Sequence, residues 1–263
     1  MSESRRDLKS RLREVCLKKG AVAFGVASAA NVDSLPRVRI GSTMKLLYKT
    51  KLNYTKKPSE AMSDAKSVVV FGILSTDDSY ELEVRVEGGG YEWPGYNALD
   101  LIDCGATRLL EGEGYRVVYP YAVSAPNSYK RVFRLAGIGA FGKNSLIISP
   151  KYGPWLRFMW FLTNAELEPD EPFEEDLCKD CMRCVKACPV GALKPYVVNP
   201  EQCLVGVQWR PPIPKRLRLA LDQYEPQLTP AAHVMCTRCQ IVCPYTSAWR
   251  RRNVVSSVRR PIC

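Results

Sequence analysis

No apolar run in the sequence approaches the ~20 residues a helix needs to span a bilayer, so no membrane-spanning segment is expected. No internal repeat is visible beyond two similar cysteine runs, which argues against a solenoid or array. No readable RNA-binding module accompanies the formal charge of +11. That charge concentrates late in the chain, in PKRLR (214–218), WRRR (249–252), Arg259 and Arg260, and reads as a solvated face before it reads as a nucleic-acid surface. At 263 residues, with 46% hydrophobic and 25% charged residues, the chain is long enough for one large domain or for a medium domain plus a small one.

Periodicity gives a coarse map. Leu8, Leu12, Val15 and Cys16 lie at helical spacing within a helix expected over 5–19, and Gly20 is placed to end it. A strand is expected at 22–26. SVVVFGIL (67–74) reads as a strand buried on both faces, followed by a helix over 98–112 and a strand over 115–121. Alternating helices and buried strands imply an α/β layer. In the loop EGGGYEWPGY (87–96), Tyr91, Trp93 and Tyr96 are candidates to wall a pocket, or to pack down on their own domain. AELEPDEPFEED (165–176) is acidic and proline-bearing and reads as a linker. One further helix is expected around 215–223.

Eleven cysteines would suggest disulfides in a small secreted chain, but eight of these fall into two spaced sets suited to metal, which points to a reducing cytoplasm. The rival reading takes SRRDLK (4–9) and AVAFGVASAA (21–30) as a twin-arginine export signal; Lys18 and Lys19 interrupt it. CKDCMRCVKACP (178–189) has the C-x2-C-x2-C-x3-C-P spacing of bacterial ferredoxins, in which the fourth cysteine serves the other cluster. The partner set is Cys236, Cys239 and Cys243, again followed by proline, with Cys203 upstream. Exchanging fourth ligands places one [4Fe-4S] cluster on Cys178, Cys181, Cys184 and Cys243, and a second on Cys188, Cys203, Cys236 and Cys239. Zinc also takes C-x2-C pairs, but two triples that each end in Cys-Pro favour iron–sulfur. Cys16 and Cys104 are expected in the core, and Cys263 is left over.

LAGIGAFGKN (135–144) contains G-x-G-x-x-G in Gly137, Gly139 and Gly142, but an expected helix (128–135) precedes it and a strand (145–148) follows, the reverse of a dinucleotide fingerprint. Its other reading is a tight helix-to-strand turn in which Gly137 ends the helix.

AGIGAFGKNSLIISPKYG, then LTNAELEPDEPFEEDLCKDCMRCVKACPVGAL, NPEQCL and MCTRCQIVCPYT, in that order, closely resemble the epoxyqueuosine reductases, and more distantly the reductive dehalogenases. The resemblance implies a cobalamin on the N-terminal α/β domain, reduced by the nearer cluster, with Gly137, Gly139 and Gly142 giving the backbone close approach to the corrin and Lys143 and Asn144 donating to its amides or a phosphate. With His233 the only histidine and no D-x-H-x-x-G motif, such a cobalamin would be base-off without a histidine ligand; His233 is expected beside the second cluster. Family members that reduce epoxyqueuosine carry an acid just before the helix leading into the glycine loop, whereas YAVSAPNSYKR (121–131) has none. Tyr129, its phenolate favoured by Lys130, is the expected substitute, ahead of Tyr121 and Ser124. Many members also continue past the second cluster into a helical-repeat extension that helps hold tRNA, so a chain ending at Cys263 is expected to take another substrate.

The expectation is an α+β or α/β fold: residues 1–170 as a cobalamin and substrate domain, and 171–263 as a ferredoxin-like domain with two [4Fe-4S] clusters. The function expected is a cytoplasmic cobalamin-dependent reductase, served by a low-potential donor of ferredoxin or flavodoxin type and acting on a small molecule or corrinoid protein. The alternatives are an electron-transfer or activator protein, and reduction of epoxyqueuosine in tRNA itself.

Overall fold

A computed structural model describes residues 3–41, 45, 51–75, 82–85, 91–119, 126–207 and 212–246. The side chains of 3–6, 82, 83, 85, 91, 92 and 126–129 fall outside that description. In chain order the elements are α1 (Glu3–Lys18), β1 (Ala23–Ser28), α2 (Ala29–Ser34), α3 (Pro58–Ala61), β2 (Ser67–Leu74), β3 (Leu82–Arg85), β4 (Tyr91–Glu92) and α4 (Tyr96–Gly112). There follow β5 (Val117–Val118), α5 (Pro126–Leu135), β6 (Ala140–Phe141), β7 (Ile147–Ile148), β8 (Leu156–Thr163), α6 (Arg183–Lys186), β9 (Leu193–Lys194) and β10 (Val197–Val198). Last come α7 (Leu204–Val207), α8 (Lys215–Tyr224), β11 (Gln227–Thr229), β12 (Ala232–Val234) and α9 (Arg238–Ile241).

The main sheet has the order β1-β2-β8-β5, and every neighbour pair in it is antiparallel. Mixed α and β content stands as expected, but the sheet is not the parallel one that alternating helices and strands suggest. Its central strand β2 is buried almost throughout because both faces are covered. Leu8, Leu12 and Cys16 of α1 and Leu99, Ile102, Ala106 and Leu110 of α4 pack on one face, against Val69, Phe71 and Phe161. Val32 of α2 and Val132, Phe133 and Ala136 of α5 pack on the other, against Val68, Val70 and Leu162. α1 ends as its sequence suggests, with Gly20 at φ +104° and Ala21 N–H returning to the Cys16 carbonyl at 3.0 Å.

Four expectations need correction. The strand foreseen at 115–121 shrinks to Val117–Val118 among the described residues. Strand β8 had no counterpart in the sequence reading. Cys104 is exposed, on the face of α4 opposite the buried Leu99, Ile102, Ala106 and Leu110, whereas Cys16 is buried and its thiol is pushed up to about 12 by desolvation.

The fourth concerns the acidic segment 165–176, which is a strap and not a free linker. Ala165 and Leu167 belong to the core. Asp170 caps the edge strand β1: its N–H donates to the Val26 carbonyl, its carboxylate accepts Val26 N–H, and Lys9 pairs with it, all at 2.8 Å. The Phe173 N–H donates to the Arg134 carbonyl at 2.9 Å, and Arg134 bonds Glu174 in return. A bare edge strand is a pairing hazard, and this strap occupies it.

A second sheet, β11-β12-β3-β4, pairs residues 82–84 with 232–234 and so ties the first half of the chain to the cysteine-bearing end. The buried Trp155 Nε1–H donates to Thr246 Oγ1 at 2.8 Å across the same junction.

Candidate metal centres

Each cysteine run folds as a turn followed by a short helix. In the first, Cys181 N–H bonds the Cys178 carbonyl at 2.8 Å, Lys179 takes φ +42°, and Cys184 sits in α6. In the second, Cys236 precedes α9 and Cys239 lies within it. α6 and α9 lie against each other, and Cys203 enters from the turn that opens α7.

The eight cysteines do not divide by run. Cys178, Cys181, Cys184 and Cys243 line one cavity, together with Lys143, Asn144 and Tyr245. Cys188, Cys203, Cys236 and Cys239 line another, of about 300 Å³. These are the two sets that exchange of fourth ligands requires. Their electrostatics agree: Cys243 is raised in part by Cys178 and Cys184, and Cys239 by Cys203, Cys236 and Cys188, with Cys184 the one contributor from the other set.

As free thiols these groups resist ionisation. Burial pushes Cys236 up to about 11 and also raises Cys178, Cys184, Cys203, Cys239 and Cys243. Bound metal displaces such protons, and backbone donors already favour the sulfur anion. Lys143 N–H lies 3.4 Å from Cys178 Sγ and Ala192 N–H 3.2 Å from Cys188 Sγ; the amides of Val205 and Gly206 serve Cys203, and those of Tyr245 and Thr246 serve Cys243. Among the described residues no three Cys, His, Asp or Glu side chains are placed to hold a single metal ion. Zinc, with Zn–S of about 2.3 Å, would draw four sulfurs to roughly 4 Å from one another. Four cysteines ringing a cavity suit an iron–sulfur cluster instead.

The glycine loop serves the protein's own packing. Gly137, at φ +71°, ends α5, with Ile138 N–H reaching back to the Phe133 carbonyl at 3.0 Å, and a Cβ there would lie 2.8 Å from the Glu171 carbonyl of the strap. A Cβ on Gly139 would lie 2.3 Å from the Ile148 carbonyl, and one on Gly142 2.6 Å from the Ile148 side chain. The Cβ direction of each glycine is thus taken by protein, and the loop makes a helix-to-hairpin turn. Lys143 and Asn144 are buried: the Lys143 ammonium donates to the Lys179 carbonyl, and Asn144 Oδ1 accepts Leu146 N–H at 3.2 Å. Lys143 lines the first cysteine cavity, and Asn144 lines both.

Tyr121 and Ser124 lie outside the described residues, as does the Tyr129 side chain. Lys130 is described: its Nζ donates to the Ser145 carbonyl, lies 5.9 Å from the Phe141 ring centroid, and lines the second cavity. Burial lowers its pKa to about 8, against the opposing pull of Cys203 and Cys239. The far wall of this cavity carries Trp93, whose Nε1–H points to Met235 Sδ at 2.9 Å, and Arg157, whose guanidinium lies 5.9 Å from both the Trp93 and Tyr96 rings. Of the three loop aromatics, Trp93 therefore lines a pocket, Tyr96 supports it, and the Tyr91 side chain is outside the description.

His233 is buried on β12 with Nε2 4.0 Å from Glu225 Oε2. Glu225 Oε1 accepts Cys236 N–H at 2.9 Å, so the pair stands beside the second quartet. Sequence reasoning missed Glu225 and Arg157, because each meets its partners through distant chain segments that leave no local pattern.

Comparison with known proteins follows the same lines. Residues 173–193 match a 4Fe-4S binding domain model. An epoxyqueuosine reductase of Listeria monocytogenes is 40% identical over 111 residues, 42% of this chain and 27% of that protein. Another, of Francisella cf. novicida, is 24% identical over 218 residues, 81% of this chain and 56% of that one. Among solved structures, a selenomethionine-labelled epoxyqueuosine reductase aligns with a TM-score of 0.67 at 21% identity, over 92% of this chain and 66% of the other. An epoxyqueuosine reductase bound to an epoxyqueuosine-modified tRNA stem loop aligns at 0.62 and 22%, over 92% and 66%. A reductive dehalogenase whose structure suggests a B12-dependent mechanism aligns at 0.57 and 16%, over 92% of this chain and 32% of the other. The fold and sites thus define a mixed α/β protein with a 4Fe-4S binding segment toward its C-terminal end. In particular, the chain resembles the epoxyqueuosine reductases, and the reductive dehalogenases more distantly, while its matches span about a quarter to two thirds of the epoxyqueuosine reductases' own length.

Proposed function

We propose that the chain is an iron–sulfur oxidoreductase in which two [4Fe-4S] clusters are held by Cys178, Cys181, Cys184 and Cys243 and by Cys188, Cys203, Cys236 and Cys239. The observation that carries this reading is the sorting of eight cysteines into two quartets around two cavities, each quartet drawing on both runs. In this reading residues 171–263 carry the clusters and 1–170 the substrate surface. The chain works in a reducing cytoplasm and takes electrons one at a time from a low-potential ferredoxin or flavodoxin. Among the described residues no helix is long and apolar enough to cross a membrane.

The reductive relatives bring a base-off cobalamin into the proposal as the group that receives these electrons. Of the residues assigned to it from the sequence, Asn144 lines the second cavity, of about 300 Å³, and Lys143 the first, while the Cβ direction of Gly137, Gly139 and Gly142 is taken by protein. What this chain's residues do is hold the clusters, exclude water with Trp93, Leu156 and Met235 on one wall of the second cavity, and present Lys130 and Arg157 to it.

Two substrate readings stand side by side. The curated relatives are epoxyqueuosine reductases, and one such enzyme is solved on a modified tRNA stem loop, which favours epoxyqueuosine in tRNA. The absence of an acid in YAVSAPNSYKR (121–131), ahead of the glycine loop, favours the alternative, a carrier or activator that passes electrons to a corrinoid protein or another redox enzyme. Anaerobic purification with iron, sulfide and cobalt quantified together, followed by cobalamin titration, tests the cofactor set. About eight irons and one bound cobalamin per chain support a reductase; eight irons without cobalamin affinity support the carrier; far fewer irons refute both. Salt-sensitive binding of an epoxyqueuosine stem loop, set against no binding at low salt, decides the tRNA reading.

A further inference from the structure

Among the described residues neither cysteine cavity is lined by a carboxylate, and both carry cations: Lys143 and Arg183 at the first, Lys130, Arg157 and Arg238 at the second. One acid stands beside each quartet: Asp176 Oδ1 accepts Cys178 N–H and Glu225 Oε1 accepts Cys236 N–H, both at 2.9 Å. At the first, the Lys143 ammonium is turned onto the Lys179 carbonyl. Of the three cations at the second cavity, Arg157 lies 5.9 Å from both the Trp93 and Tyr96 rings and Arg238 is exposed, 5.9 Å from the Tyr224 ring. Lys130 is different. Its stem is part-buried, its Nζ is fixed by the carbonyl of Ser145, a residue at φ +64°, and the sulfurs that attract its charge are those of Cys203 and Cys239.

We infer that Lys130 is the fixed counter-charge of the second quartet, making the cluster held there easier to reduce than it would be without that cation. This inference rests on the proposed cluster assignment and replaces the expected role of Lys130 beside Tyr129. Reducing a cluster adds one negative charge, and a cation held near it in a poorly screened cavity stabilises that charge. Lys130 lines the second cavity together with Cys188, Cys203, Cys236 and Cys239.

The test is an anaerobic dithionite titration of the reconstituted chain followed by electron paramagnetic resonance, with Cys203→Ala identifying the wave of the second cluster. Lys130→Met and Lys130→Gln are expected to move that wave to more negative potential by about 59 mV, a tenfold change in the reduced-to-oxidised ratio, and to leave the first wave in place. Lys130→Arg keeps both waves where they were. An unmoved second wave, equal movement of both waves, or loss of the second cluster in all three variants overturns the inference, the last because it marks a merely structural role. A wild-type chain that assembles only one cluster overturns the reading beneath it, and shows this before any variant is made.

Discussion

The sheet layer and the cysteine-bearing end of this chain are held together by different means. The layer packs two large sets of apolar side chains onto both faces of β1-β2-β8-β5, with Phe71, Phe161, Leu99, Ile102 and Leu162 fully buried. The cysteine end has only a small apolar cluster of Ala140, Ile148, Leu177 and Cys243, and its short helices α6, α7 and α9 are four residues each. Segments that short do not persist on their own. One half is stabilised by the hydrophobic effect, and the other needs its ligands bound to fix its turns.

Removing the metal should separate the halves most clearly. Anaerobic chelation of the reconstituted chain is expected to abolish amide-exchange protection in α6, α7 and α9 while β2 and β8 stay protected, as read by hydrogen exchange. Phe161→Ala attacks the other half: it deletes a fully buried ring and is expected to cost about 3–5 kcal/mol in denaturant unfolding, with iron per folded chain unchanged.

Asp170→Ala sharpens the contrast at the strap. It removes the carboxylate that accepts Val26 N–H and pairs with Lys9, and should cost about 1.5–3 kcal/mol and expose 165–176 to protease. The smallest effect belongs to Asp103, whose carboxyl is raised from 3.8 to about 6, chiefly by burial and against the stabilising Tyr119 hydrogen bond. The folded state holds that proton more tightly than the unfolded chain, so this contribution is present below pH 4 and is lost as pH rises from about 4 to 6. Discounted for partial exposure, Asp103→Asn should raise stability by about 1 kcal/mol at pH 7 and have no effect at pH 3.5, measured by paired thermal melts.

The same contrast explains what was legible in the sequence. Strand 67–74 was readable to the residue because both its faces are apolar, and the helix foreseen at 98–112 appears as Tyr96–Gly112. β8 was not, because Arg157 interrupts its apolar run and its neighbours Ser67–Leu74 lie some ninety positions away. The pairing of 82–84 with 232–234 likewise leaves no local trace. The strap reads as a linker because its charges face solvent, while its anchoring falls on Ala165, Leu167 and Asp170. At the metal centres the spacing of the cysteines carried the grouping into two sets, since ligand geometry demands a fixed spacing in the chain. The turn at the glycine loop was legible from the helix expected before it and the strand after it, whereas the close approach of Gly139 to the Ile148 carbonyl leaves no mark in the spacing.

The central claim is that each cluster borrows a ligand from across the two runs. The most direct measurement is iron content and electron paramagnetic resonance of the Cys188→Ala/Cys203→Ala double variant, reconstituted anaerobically. If Cys188 and Cys203 share the second quartet, only that cluster is lost and about four irons with one signal remain. If instead Cys188 completes the first run and Cys203 the second, both clusters are crippled, and iron near zero would contradict the account.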